Sequence, residues 1–263
     1  MQLTMLGVGS SAGTPAVGCK CNTCTSTNPH NKRTRCSSII KLDSGEVILI
    51  DTGPDLRIQA LREGLTRVDA VLYTHSHADH LHGIDDLRAF CQLQRKQLPL
   101  YAKQDVVAHI SSKFGYTLRE PCDFWDLPVL SISEIIKPFE LFGQLVTPIP
   151  VKHGRSDIYG YRIGNIAYLT DVSEIPEASI DLLQGLDILL LDCLRYQSHP
   201  THVNLEESIA YANLIKAKNT YMIHMTHELE FDALSMILKN NGTQGQHNGA
   251  IHVGYDGLKL ESK

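Results

Sequence analysis

The chain has 263 residues, 43% of them hydrophobic, and a formal net charge of −5 at pH 7. That is enough apolar material for one large α/β core, and the mild acidity argues against a nucleic-acid partner, which would call for a basic stripe. No apolar run is long enough to span a bilayer, Met1–Leu6 runs straight into Gly7-Val8-Gly9 without the basic n-region of an export signal, and seven cysteines, an odd number, point to a reducing cytoplasmic setting rather than a disulfide framework.

Taken in chain order, strand-like runs occur at 2–6, 38–42, 47–50, 70–73, 98–101, 145–150, 159–163, 166–169, 188–191, 220–223 and 251–255. Helical patterns lie at 55–63, 83–94, 177–183, 205–217 and 229–238. In the second of these, Ile84, Leu87, Phe90 and Cys91 recur at helical spacing. Asn204 is a natural N-cap, with Glu206 and Glu207 in the first turn behind it. Each half opens on strands and continues with alternating strands and helices. That order predicts two sheets face to face with helices outside, a four-layer αββα sandwich. The whole chain, 1–263, reads as one domain. The stretch 103–137 is the least periodic and reads as a lid or an edge insertion.

Directly behind the apolar run Ala70-Val71-Leu72-Tyr73 comes Thr74-His75-Ser76-His77-Ala78-Asp79-His80. Three imidazoles and a carboxylate at a strand end are costly to bury unless something neutralises them. A divalent metal does so; zinc, manganese and iron(II) all accept nitrogen and oxygen donors. Further candidates stand at other strand ends: Asp51, His153, Asp171 and His224. Polar residues at successive strand ends converge on one edge of a sheet, where α/β proteins place chemistry.

A separate cluster is Cys19-Lys20-Cys21-Asn22-Thr23-Cys24, in a loop at about 18–25. Three thiols at this spacing suit a tetrahedral structural zinc that lacks one ligand; a redox trio and idle thiols are the rival readings. His227, three residues after His224, is the expected fourth ligand. Cys36, Cys91, Cys122 and Cys193 read as small apolar residues.

The pattern His75-x-His77-x-Asp79-His80, preceded by Asp51-Thr52-Gly53 and followed by His153, Asp171 and His224, resembles the metallo-β-lactamase superfamily across essentially the whole chain. The resemblance implies an αββα sandwich with two divalent metals at one end of the sheets. It implies that His75, His77 and His153 hold the first, that Asp79, His80 and His224 hold the second, and that Asp171 bridges them. Asp51 would orient a ligand histidine. Zinc and manganese stand foremost as the two active-site ions.

Within that superfamily the cysteine loop, the segment from Gly13 to Cys21, Cys36-Ser37-Ser38, His224-x-x-His227 and Gly254-Tyr255-Asp256-Gly257 resemble the PhnP-type phosphodiesterases. Those accompany carbon–phosphorus lyase and open phosphoribosyl cyclic phosphate. The resemblance implies hydrolysis of a small cyclic phosphodiester, such as phosphoribosyl 1,2-cyclic phosphate, by a hydroxide shared between two metals, and it implies a homodimer. Asp79 and His202 are the catalytic candidates. His202 would protonate the sugar alkoxide as it leaves, with His199 a competitor for that role. Arg155 and Arg195 are candidates for a phosphate oxygen by charge alone. An RNA-processing nuclease of the same superfamily and a non-catalytic, metal-stabilised accessory protein are the alternatives.

Overall fold

The computed structural model describes residues 1–118, 130–242 and 249–262. The first sheet is built from β1 (Gln2–Gly7), β2 (Ser37–Lys41), β3 (Val47–Ile50), β4 (Ala70–Leu72), β5 (Leu98–Ala102) and β6 (Leu130–Glu134) in sequential order. The second takes β7 (Phe139–Leu141), β8 (Gln144–His153), β9 (Ser156–Ile163), β10 (Ile166–Leu169), β11 (Ile188–Asp192), β12 (Asn219–Ile223) and β13 (Ala250–Val253), again in sequential order. The last strand, β14 (Lys259–Glu261), returns to the first sheet and pairs antiparallel with β1. Both sheets change direction once. The pairs β1–β2 and β2–β3 are antiparallel, and from β3 onward neighbours are parallel. In the second sheet β7 to β10 are antiparallel, and β10 to β13 are parallel.

Period-two alternation divides the strands between two apolar layers. On β3, Ile48 and Ile50 face the layer between the sheets, while Val47 and Leu49 face outward. On β11, Ile188 and Leu190 face inward and Leu189 and Leu191 outward. Helices Leu56–Glu63, Leu87–Gln94 and Gln104–Lys113 cover the outer face of the first sheet through Leu56, Leu87, Phe90, Val106 and Ile110. Helices Glu177–Asp181 and Leu205–Ile215 cover the second through Ile180, Ala212 and Ile215. The expected αββα sandwich is the architecture found. No helix among the described residues is long and apolar enough to cross a membrane.

Differences from the sequence reading have local causes. β8 runs on through Pro148 and Pro150 to His153, because its β7 partner reaches only as far as Val146. Between that point and a single bridge from Lys152 to Glu174, β8 is an edge at both prolines, where a missing N–H costs no ladder bond. The stretch 103–137 holds the helix Gln104–Lys113, a 3₁₀ turn and β6 at the edge of the first sheet; 119–129, including Cys122, lies outside the described residues. The last helix begins at Phe231 rather than Leu229, since the Leu229 carbonyl is taken by a side chain elsewhere. Asn204 caps its helix in a reciprocal box with Glu207.

Candidate metal centre

Three strand ends turn by the same backbone device. Asp51 after β3, Asp171 after β10 and His224 after β12 have φ of 62°, 56° and 58°. The left-handed region is disfavoured for residues with a Cβ, less so for Asp and His. Here it ends each strand abruptly and turns the side chain toward the rim where the sheets meet.

Asp171 is the centre of the arrangement. Its Oδ1 lies 3.8 Å from His75 Nε2 and 3.9 Å from His153 Nε2; its Oδ2 lies 3.0 Å from His80 Nε2 and 3.4 Å from His224 Nε2. Asp79 Oδ2 stands 3.2 Å from His80 Nε2 and 3.7 Å from His224 Nε2. The His77 ring lies 4.6 Å from His75 and 5.0 Å from His153. The donors thus fall into two interlocked sets that share Asp171: His75, His77 and His153 on one side, Asp79, His80 and His224 on the other. All seven expected side chains are brought together. His77 is exposed; His75, His80, His153, Asp171 and His224 are buried.

These sets fit divalent cations. Among the described residues, His75 Nε2, His80 Nε2 and both ring nitrogens of His224 are buried with no hydrogen-bond partner, a costly state that an ion relieves. Burial holds His75 and His153 below the ordinary imidazole pKa, in the neutral form that ligates. Burial would raise Asp171, but His224 and His80 outweigh it and keep the carboxyl well below its usual range.

The support is equally specific. Asp51 is fully buried; it accepts from Thr74 N at 2.9 Å, Thr74 Oγ1 at 2.8 Å and His80 Nδ1 at 2.8 Å. It therefore ties the start of the His75–His80 loop to its last ligand. His153 Nδ1 donates to Thr201 O at 2.8 Å. Tyr161 hydroxyl donates to Tyr73 O at 2.6 Å, pinning the second sheet to the strand that leads into the loop.

His202 belongs to the same rim: its Nε2 lies 3.9 Å from Asp171 Oδ1, and its Nδ1 donates to Asp192 Oδ2 at 2.9 Å. Asp192 is fully buried, also accepts from Val172 N at 2.7 Å, and has its Oδ1 3.7 Å from His224 Nδ1. Sequence reasoning passed over Asp192, although it ends β11 as Asp51 follows β3; the strand-end rule alone would have found it. His199 stands beside His202 at 5.2 Å between rings and accepts from Thr201 N. Arg195 engages the carbonyls of Gln197 and Ser198 in its own loop. Arg155 is exposed at the tip of the β8–β9 turn, two residues past His153.

The thiols form a second group. Cys19, Cys21, Cys24 and His227 each place a donor atom within 4.8 Å of the others. Cys21 Sγ is 3.2 Å and Cys19 Sγ 3.5 Å from His227 Nδ1. The His227 contact, with the Cys24 amide, lowers the Cys21 thiol to about 6. Cys36, Cys91 and Cys193 are buried in the apolar core and form no disulfide among the described residues, as expected of small apolar positions.

A β-lactamase superfamily domain is matched over residues 46–225. The chain belongs to the metallo-β-lactamase superfamily. A solved structure described as a new diphosphatase from the PhnP family superposes with a TM-score of 0.88 at 41% identity, covering all of this chain and 98% of that one, and marks this superfamily member as PhnP-type. An octanoyltransferase of Porphyromonas gingivalis (strain ATCC BAA-308 / W83) is 38% identical over 98% of this chain. The chain spans about half, 51%, of that protein's length. The anti-Pycsar protein Apyc1 of Paenibacillus harenae is 26% identical over 68% of this chain and 78% of its own. Fold, family and donor sets together fit a metal-binding member of this superfamily.

Proposed function

We propose that the protein hydrolyses a small, cyclic phosphodiester, such as phosphoribosyl 1,2-cyclic phosphate, with two divalent ions, manganese or zinc, in the Asp171-centred sets. The observation that carries this reading is His202, an imidazole at the edge of both sets with its far nitrogen fixed by buried Asp192. Two ions held there supply Lewis acidity toward a phosphoryl oxygen and lower the pKa of a water. The protein's own groups do the rest. Asp171 presents one oxygen to each set; Asp51 fixes His80; Asp192 occupies His202 Nδ1, so that Nε2 faces Asp171 and the donor sets. Nε2 would give a proton to the departing sugar oxygen, a poor leaving group without it. The cysteine cluster with His227 we read as a closed, structural zinc site.

One neighbour favours a second reading. The PhnP-family structure is described as a diphosphatase, and a phosphoanhydride releases a phosphate, which leaves without the same need for a proton. His202→Ala separates the two. On bis(p-nitrophenyl) phosphate and a ribose cyclic phosphate, both with added Mn²⁺, the wild type turns over. The variant falls further on the ribose substrate, by roughly 10²–10⁴-fold, with its ions retained. A variant that hydrolyses a nucleoside diphosphate far faster than any diester assigns the anhydride instead. No turnover of any diester with manganese, zinc or iron(II) refutes the proposal.

A further inference from the structure

Arg33 is 2% exposed, and its guanidinium touches only neutral oxygens. Nη1 donates to Thr226 O at 3.0 Å; Nη2 donates to Leu229 O at 2.6 Å and Asn31 Oδ1 at 3.4 Å. Nε has no partner. Burial pushes the guanidinium down to about 10, so it stays charged at neutral pH. Asp256 and Glu230 favour the charge through space, but neither touches the guanidinium; a buried charge so placed is expensive, and an apolar side chain of similar size would fill the space at less cost. What Arg33 holds is therefore informative.

The two carbonyls it binds lie on either side of His227, the imidazole of the cysteine cluster, and the same segment begins at His224, a donor of the Asp171-centred set. The backbone of Arg33 meanwhile pairs with Thr14 in both directions, at 2.8 and 2.9 Å, on the loop that leads to Cys19. That loop closes around it: a Cβ on Gly9 would sit 2.8 Å from Arg33 O. Asn31 extends the bracket, accepting from Phe231 N at 2.9 Å and donating to Glu230 Oε1 at 2.6 Å. One residue thus joins the cysteine loop to a segment that supplies a histidine to each donor cluster.

We infer that Arg33 is a positioning residue that couples the cysteine cluster to the His224 side of the Asp171-centred site, by holding the segment from His224 to Leu229 in register with both. The inference rests on reading both donor groups as metal sites, and its test is by binding rather than turnover. Cobalt(II), followed through thiolate charge-transfer absorption, reports the cysteine cluster. Manganese(II), followed by electron paramagnetic resonance, reports the first ion and then the spin-coupled pair.

Arg33→Lys keeps the charge but reaches fewer acceptors. It should weaken cobalt at the cluster and the second manganese by roughly tenfold or more, leaving the first manganese, at His75, His77 and His153, unchanged. Unchanged affinities overturn the inference; so does an equal loss at all three sites with a matching fall in melting temperature, which is general loosening. If Arg33→Lys does not fold, the wild type decides. Removing the cluster ion alone should weaken the second manganese, and adding that manganese should strengthen cobalt by the same factor. Independence of the two affinities overturns the coupling. Absence of phosphodiester turnover with these affinities coupled would sink the proposed activity and leave this inference standing.

Discussion

Replacing Gly53 with alanine adds one methyl group where the backbone of the ligand loop already stands. An ideal Cβ at Gly53 lies 2.2 Å from Asp79 O, well inside the 3.0 Å below which real Cβ contacts are essentially absent. The obstacle is a peptide group, not the mobile end of a side chain. Nor can that peptide retreat freely: Thr52 N donates to His80 O at 2.7 Å, and Gly83 N donates to Thr52 O at 2.8 Å. Relief requires Asp79 and His80, two donors of one set, to move together by about 1 Å. Overpacking of this kind costs about 1–3 kcal/mol, and a misplacement of that size costs on the order of 10²-fold in activity. Urea unfolding of the metal-free protein measures the first, and turnover with a manganese titration the second. Gly115→Ala, where a Cβ meets nothing within 4 Å, is the control. A Gly53→Ala protein with wild-type stability and wild-type affinity for the second ion would refute the steric argument.

Asp192→Asn keeps the shape but can turn an N–H toward His202 Nδ1; turnover should fall by roughly two orders of magnitude with both ions retained by elemental analysis, and wild-type turnover would count against the assigned role. Tyr161→Phe removes the bond to Tyr73 O and leaves a buried carbonyl short of a donor, so unfolding should be easier by about 1–3 kcal/mol; a change near zero in chemical denaturation would show that the two sheets are not stitched there. Burial pushes Asp69 upward, but Arg67 and Lys96 outweigh it and hold its carboxyl below the ordinary value. Its stabilisation is therefore full above the unfolded pKa of about 3.9 and is lost as pH falls through the lower folded value. The stability gap between wild type and Asp69→Asn, measured without metal, should shrink as pH is taken from about 6 to about 3; a constant gap would contradict the shift.

Much of the site could be read directly because metal donors are chemically conspicuous and strand ends are easy to find. The His75–His80 run, Asp51, His153, Asp171 and His224 needed only those two signals, and His227 needed only its spacing from His224. What stayed hidden carried weaker signals. Gln104–Lys113 buries only Val106 and Ile110, too narrow a stripe to announce a helix. β7 and β14 are three residues each, while β8 was legible despite its two prolines and only its last residues up to His153 were not. Arg33 was invisible for a different reason. Its partners are carbonyls 193 and 196 positions away, and every residue has a carbonyl, so nothing in side-chain chemistry marks them.

Asp51 and Asp171 stand at matching places: each follows the strand at which its sheet passes from antiparallel to parallel pairing. The histidine loop after β4 likewise answers to the His199–His202 loop after β11. Yet neither half owns a working centre. The first contributes His75, His77, Asp79 and His80, the second His153, Asp171 and His224, and each donor set draws on both. Any ion seated there is a rivet through the seam between the sheets. Prying the halves apart and emptying the centre are then one event, so resistance to mechanical or thermal separation should rise and fall with the ions' affinity.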